Sequence, residues 1–141
     1  MALICDMVST RWYKRSMPIA TGSEVELVMA AAEALSEQGV GARVVSMPCV
    51  EEFMRQEADY RELVLPADCR ARVAVEAAHP DYWYRFVGLD GAVVGIDTFG
   101  VSAPGDIALD TLGINAANVL TRAQEVLRSS QKKRLGADAP A

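Results

Sequence analysis

The stretch Pro18–Val50, PIATGSEVELVMAAAEALSEQGVGARVVSMPCV, constrains the fold more than any other part of the chain. It reads as a strand, a glycine-bearing turn, an amphipathic helix and a second strand. Thr21 and Gly22 supply the turn. Ser23, followed three residues later by Glu26, has the spacing of a capping box, in which two side chains reciprocally satisfy free backbone N–H groups at a helix start. Val25, Val28, Met29, Ala32 and Leu35 recur at three- and four-residue intervals and predict one apolar stripe, with Glu24, Glu33 and Glu37 off it. Gly39 stands where a left-handed C-terminal cap is wanted, and Ala42 to Met47 is a β-rich run stopped by Pro48. Such a unit is βαβ, with parallel strands and a right-handed crossover.

The rest of the chain is laid around that unit. Residues 1–17, MALICDMVSTRWYKRSM, follow no clear period and read as a leader, either an edge strand over Ala2 to Val8 or sequence foreign to the domain. The domain itself is expected over 18–135, with 136–141 a frayed tail. Val50 to Leu65 predicts a short helix, a bend near Asp59 and a second turn ending before Pro66. RARVAVEAA alternates like a strand and puts Glu76 near its C-terminal end. Pro80 opens a helix on which Tyr82, Trp83, Phe86 and Val87 cover one side. Ala92 to Ile96 is an apolar run of the kind expected for a strand covered on both faces. A loop from Phe99 to Gly105 precedes a short helix from about Asp106 to Leu112, ending at Gly113. Asn115 is placed to cap the final helix, whose Val119, Ala123, Val126 and Leu127 mark a packed face. Strands alternating with helices predict a three-layer α/β/α sandwich.

Size and charge narrow the function classes. A chain of 141 residues is one domain that can bury a core without disulfides or a metal, and 51% apolar with 23% charged residues is a globular composition. No apolar run reaches a membrane span and no signal-peptide pattern opens the chain, so the expectation is a cytoplasmic protein with no membrane partner. The net charge of −5 is unevenly spread: residues 18–127 carry −10, while both ends are basic. An acidic body argues against nucleic acid, whose binding rests on Lys and Arg neutralising phosphates. Arg128, Lys132, Lys133 and Arg134 read either as a docking patch or as the cations favoured at a helix C-terminus.

Two chemistries have the residues to be considered. Cys5, Cys49 and Cys69 are odd in number and lack CxxC or zinc-type spacing, which disfavours a disulfide framework or metal cluster. Cys49 follows a strand, and with His79, Glu76 and Asp97 near other strand ends it offers a Cys–His–acid set for a small thiol enzyme, although no nucleophile-elbow or protease signature surrounds it. Gly22, Ser23 and Glu24 lie where a helix start can hold an anion, the site of a free-standing regulatory or small-ligand domain. That turn has one glycine and matches neither the dinucleotide fingerprint nor the P-loop.

ATGSEVELVMAAAEAL, ARVVSMPCVEEFMRQEADYRELVLP, ARVAVEAA, DYWYRFVGLDGAVVGIDTFGVSAP and NVLTRAQEVL together resemble the C-terminal domain of transketolase, from about Ile19 to Leu127, in order and with similar spacing. The resemblance implies a mixed, mostly parallel five-stranded sheet between helices, its first strand antiparallel. It also implies a parent enzyme that moves a two-carbon ketol unit between sugar phosphates with thiamine diphosphate and magnesium. In that family the cofactor, metal and catalytic groups belong to two preceding domains. No catalytic, cofactor-binding or metal-binding residue is therefore carried over to this chain. Its implied role is a structural and subunit-contact module of a dimeric pentose-phosphate enzyme. The partners are the remaining domains, a second subunit or further copies of the chain. The residues singled out for such a contact are Tyr82, Trp83, Tyr84 and Phe86, with Ser102 and Pro104 of the FGVSAP loop. A helix buries about half its circumference, so not all four aromatics can be core.

Overall fold

The computed structural model describes the backbone of residues 3–7 and 16–137 and the side chains of 16–133. Five strands form one sheet: β1 (Leu3–Met7), β2 (Met17–Ala20), β3 (Ala42–Ser46), β4 (Arg72–Val75) and β5 (Ala92–Val94), in the order β1-β3-β2-β4-β5. β1 runs antiparallel to β3, with Leu3 opposite Ser46 and Met7 opposite Ala42, and the other neighbours are parallel. Part of the leader is thus an edge strand. Its residues 8–15 lie outside the described residues, as does the expected tail from 138 onward.

Helices cover both faces. The crossover from β2 to β3 is α1 (Glu24–Glu37) and lies on one face. The chain then reverses direction along the sheet, so a right-handed path puts the next crossover on the opposite face. There lie α2 (Val50–Arg55), α3 (Ala58–Val64) and, after β4, a 3₁₀ turn (Pro80–Trp83) running into α4 (Tyr84–Val87). After β5 the chain returns through α5 (Gly105–Thr111) to α6 (Ala116–Ala137), which packs beside α1.

The first face is aliphatic. Val28, Ala31, Ala32 and Leu35 of α1 and Val119, Ala123, Val126 and Leu127 of α6 meet Ala20, Val44, Val73, Val75 and Val94 of the sheet. The second face holds larger side chains: Met17, Ile19, Val45 and Met47 beneath Phe53, Val64, Leu65, Trp83 and Phe86.

Helix ends follow the expected chemistry at three places and depart from it at one. Gly39 (φ +75°) closes α1 with Gly39 N–H donating to the Ser36 carbonyl and Val40 N–H to that of Leu35, a Schellman motif. Gly113 (φ +78°) repeats it after α5, through Gly113 N–H to Asp110 and Ile114 N–H to Leu109. Asn115 caps α6, its Oδ1 accepting the Asn118 N–H at 2.8 Å. Ser23, by contrast, makes no cap: it is already helical (φ −66°, ψ −26°), and its hydroxyl donates to Glu24 Oε2 at 3.3 Å. The capping box fails because the left-handed Gly22 (φ +56°) starts the turn one residue early.

Other expectations shift for packing reasons. The buried stripe of α1 is Glu24, Val28, Ala31, Ala32 and Leu35, rotated so that Val25 and Met29 are half-buried and Glu24 is inside. The break between α2 and α3 falls at Gln56 and Glu57, and Asp59 belongs to the first turn of α3. β5 is an end strand whose Ala92 and Val93 are half-buried, so it is not covered on both faces.

Candidate functional site

Ligands of open α/β sheets sit where neighbouring strands send their connections to opposite faces, at the C-terminal ends. Here that point lies between β2, which feeds α1, and β4, which feeds α4. The turn Thr21–Ser23 and the segment Glu76–His79 flank it.

The helix mouth expected to hold an anion at Gly22, Ser23 and Glu24 already carries a negative group. Glu24 is 7% exposed, and its carboxylate folds back toward the turn, so that a Cβ added at Gly22 would lie 3.7 Å from Glu24 Oε2. The positive end of α1 thus faces its own carboxylate, and an arriving anion would meet that charge.

The four residues of the thiol set each face elsewhere. Cys49 is exposed and its Sγ lies 3.8 Å from Glu51 Oε2. His79 Nδ1 accepts the Asp81 N–H at 3.5 Å and stands 3.6 Å from Asp81 Oδ2. Glu76 accepts the indole N–H of Trp83. Asp97 is exposed. A thiol, a base and an orienting acid in mutual hydrogen-bond reach are what nucleophilic catalysis requires. Cys69 is buried, and burial pushes its thiol up, away from the reactive thiolate. Among the described residues no three of His, Cys, Asp and Glu are grouped to hold a metal ion.

The aromatic segment divides in two. Trp83 is 1% and Phe86 5% exposed, their ring centroids 5.7 Å apart, and both are core. They are to be removed from the expected contact surface, because the 3₁₀ turn swings Trp83 inward to reach Glu76. Tyr82 (43% exposed) and Tyr84 (51%) stay at the surface. Tyr82 donates its hydroxyl to Glu51 Oε1 at 3.2 Å, tying the turn to α2. The bond acts on both groups: Glu51 is held below the usual carboxylate range by its own backbone N–H and then by Tyr82, while desolvation and then Glu51 push the Tyr82 phenol up.

Ser102 and Pro104 are exposed as well, as are Phe99 and Val101 of the same FGVSAP loop, and the structure adds Ile107 of α5, which the sequence did not single out. Phe99 is 98%, Val101 42% and Ile107 54% exposed. For Phe99 and Val101 the signal was a large apolar side chain in a Gly- and Pro-bearing loop, where polar ones are the rule; Ile107 lies in α5.

The family model described as "Transketolase-like TK C-terminal domain" matches residues 10–115. Transketolase 1 of Escherichia coli (strain K12) is 56% identical over 109 residues, which are 77% of this chain and 16% of that protein. Among solved structures, a transketolase from Leishmania mexicana superposes with a TM-score of 0.80 at 36% identity, covering 90% of this chain and 18% of that one. A protein described as "Split gene transketolase, inactive beta4 tetramer" shares the fold at 22% identity and a TM-score of 0.65, covering 82% of this chain and 40% of its own. The chain thus spans about one sixth of the length of the curated relatives it matches.

Proposed function

Because the chain belongs to the transketolase-like C-terminal domain family, we propose that it is the structural and contact-forming part of a transketolase. In this reading the full enzyme moves a two-carbon ketol unit between sugar phosphates in the cytoplasm, in the pentose phosphate pathway. Thiamine diphosphate and magnesium are held by the other domains of a dimer. This chain supplies no catalytic residue. Its task is to dock on the remaining domains or on a second subunit.

The observation that carries the reading is the apolar surface at the loop after β5. Phe99 and Val101 of the loop and Ile107 at the start of α5, with Ser102 and Pro104 between them, expose side chains that a solvent-facing surface would replace with polar ones. Tyr82 and Tyr84 add aromatic surface, and buried patches of this composition are what protein interfaces use. The split-gene protein similar in fold is described as an inactive tetramer of one kind of chain. Inactivity alone and self-association are what we expect here too.

The test is reconstitution with the part of Escherichia coli transketolase 1 that this chain does not match. The chain alone should transfer no ketol group, and a complex of the two should form and gain activity. Phe99→Ser with Ile107→Ser should weaken the complex while leaving the chain's own thermal midpoint in place. Ketol transfer by the chain alone would sink the proposal, as would a complex indifferent to the double substitution.

A further inference from the structure

Between α3 and α4, on the face that carries the short helices, lies an open groove of about 520 Å³. Its floor is made by the buried side chains of Phe53, Leu65 and Phe86, with Met54 at the rim. Arg61 and Arg85 stand in its walls. Neither is paired with a carboxylate among the described residues. The Arg85 guanidinium lies 5.3 Å from the centre of the Phe86 ring and 5.8 Å from that of Tyr82, contacts that hold it over the floor without neutralising it. Arg61 Nε is shut off from solvent and donates to nothing, a state that buried N–H groups in folded proteins rarely keep.

We propose that this groove binds a small monocarboxylate with a flat apolar body. Its carboxylate would be seated on Arg61 and Arg85 and its body on Phe53 and Phe86. A guanidinium presents parallel N–H donors that match the two oxygens of one carboxylate, and a rotation about the outer torsions of Arg61 gives its Nε–H the missing acceptor. The apolar floor selects for a body as well as a charge, as small-ligand sites with few polar groups do. Glu62 shares the wall, one of its oxygens accepting the Ala67 N–H at 2.8 Å. Its charge repels a doubly charged phosphate more than a singly charged carboxylate. The proposal goes beyond the docking role above: the groove is distinct from the apolar loop after β5, and it meets the docking surface only where Tyr82 adjoins Arg85.

The experiment is a two-dimensional amide NMR titration of the full 141-residue chain with benzoate, benzyl alcohol and inorganic phosphate in turn. Benzoate should give saturable shifts confined to amides of residues 53–65 and 82–87. Arg61→Met and Arg85→Met, with otherwise native spectra, should each raise its midpoint roughly tenfold. Benzyl alcohol, which keeps the ring and lacks the charge, should not saturate over the same range, and neither should phosphate. The proposal is overturned by the absence of saturable benzoate shifts, by equal midpoints in wild type and both variants, or by phosphate saturating at or below the benzoate concentration.

Discussion

The two faces of the sheet are held by different means. On one, α1 with 14 residues and α6 with 22 lie as long helices over an aliphatic surface, and interdigitation of Val, Leu and Ala accounts for their attachment. On the other, no helix exceeds seven residues. Pieces that short cannot sustain themselves and lean on tertiary contacts. The second face accordingly carries polar side chains that tie its short pieces to one another. Arg72 donates to the carbonyls of Cys69 (2.9 Å), Phe86 (2.8 Å), Leu65 (3.1 Å) and Pro66 (2.7 Å), gathering the end of α3, the following loop and α4 around one guanidinium. Arg43, itself buried, reaches the Leu63 carbonyl at 2.6 Å. Trp83 reaches Glu76, and Tyr82 reaches Glu51. Long helices are positioned by shape; short ones are pinned by polar bonds.

Arg72→Met is the sharpest way to break that contrast. Four carbonyls lose a charged donor together, and a loss of roughly 3 kcal/mol is expected, with Arg72→Lys recovering little because one ammonium cannot span the fork. Denaturant midpoints give the size, and native-state hydrogen exchange gives the place. Protection should fall in α3 and α4 and persist in α1 and α6. A uniform loss would mean that the two faces open as one unit.

A second, smaller effect separates two helix starts on the first face. Asn115→Ala removes a cap bond that is present and should cost about 1 kcal/mol. Ser23→Ala removes none and should stay within about 0.5 kcal/mol of wild type. Equal losses in the two midpoints would show that Ser23 caps α1 after all.

The smallest effect concerns a charged tie between elements on the aliphatic side. Asp90, in the turn before β5, pairs with Lys133 of α6 and with Arg70 Nη2 at 2.6 Å. The hydrogen bond from Lys133, followed by the guanidinium of Arg70, holds its carboxyl below the ordinary aspartate value. A carboxyl depressed in the folded state stabilises above the unfolded pKa, about 4, and loses that contribution as pH falls through the folded one. Thermal midpoints of wild type and Asp90→Asn should therefore differ at pH 7 and converge in acid, with the gap narrowing in high salt. A gap that widens toward acid would reverse the assignment.

What the sequence made legible follows the same division. α1, α6, their glycine and asparagine ends, and β2 to β4 show themselves through local periodicity and turn chemistry, which need no knowledge of distant residues. Arg43 sits in a β-rich run and Arg72 in an alternating one, and nothing local reveals that both reach into the second face, because their acceptors, the carbonyls of Leu63 and Phe86, lie 20 and 14 residues away. Trp83 was placed on a candidate contact surface for the same reason: its partner Glu76 precedes the 3₁₀ turn that brings them together. The burial of Glu24 escaped the heptad-like count because Gly22 rotates the whole first turn. At the candidate contact surface the FGVSAP loop was legible, whereas Ile107 on α5 was not, because in the sequence it looks like one more apolar residue of a short helix.

The position of α6 in the chain has a consequence for how the molecule comes into being. Strands β2 to β5 and all the helices of the second face are complete by Val94, whereas the lid of the first face begins only at Ala116. The flank of α1 that α6 covers, down to Gln38 with its bond from Gln124 at 2.9 Å, waits for residues 86 positions later. A ribosome making this chain therefore releases a half-finished sheet first, closed on one side and covered on the other only where α1 lies over β2 and β3. The apolar surface of Val73, Val75 and Val94, where α6 packs, is exposed to whatever else is being made nearby until that helix arrives to shelter it.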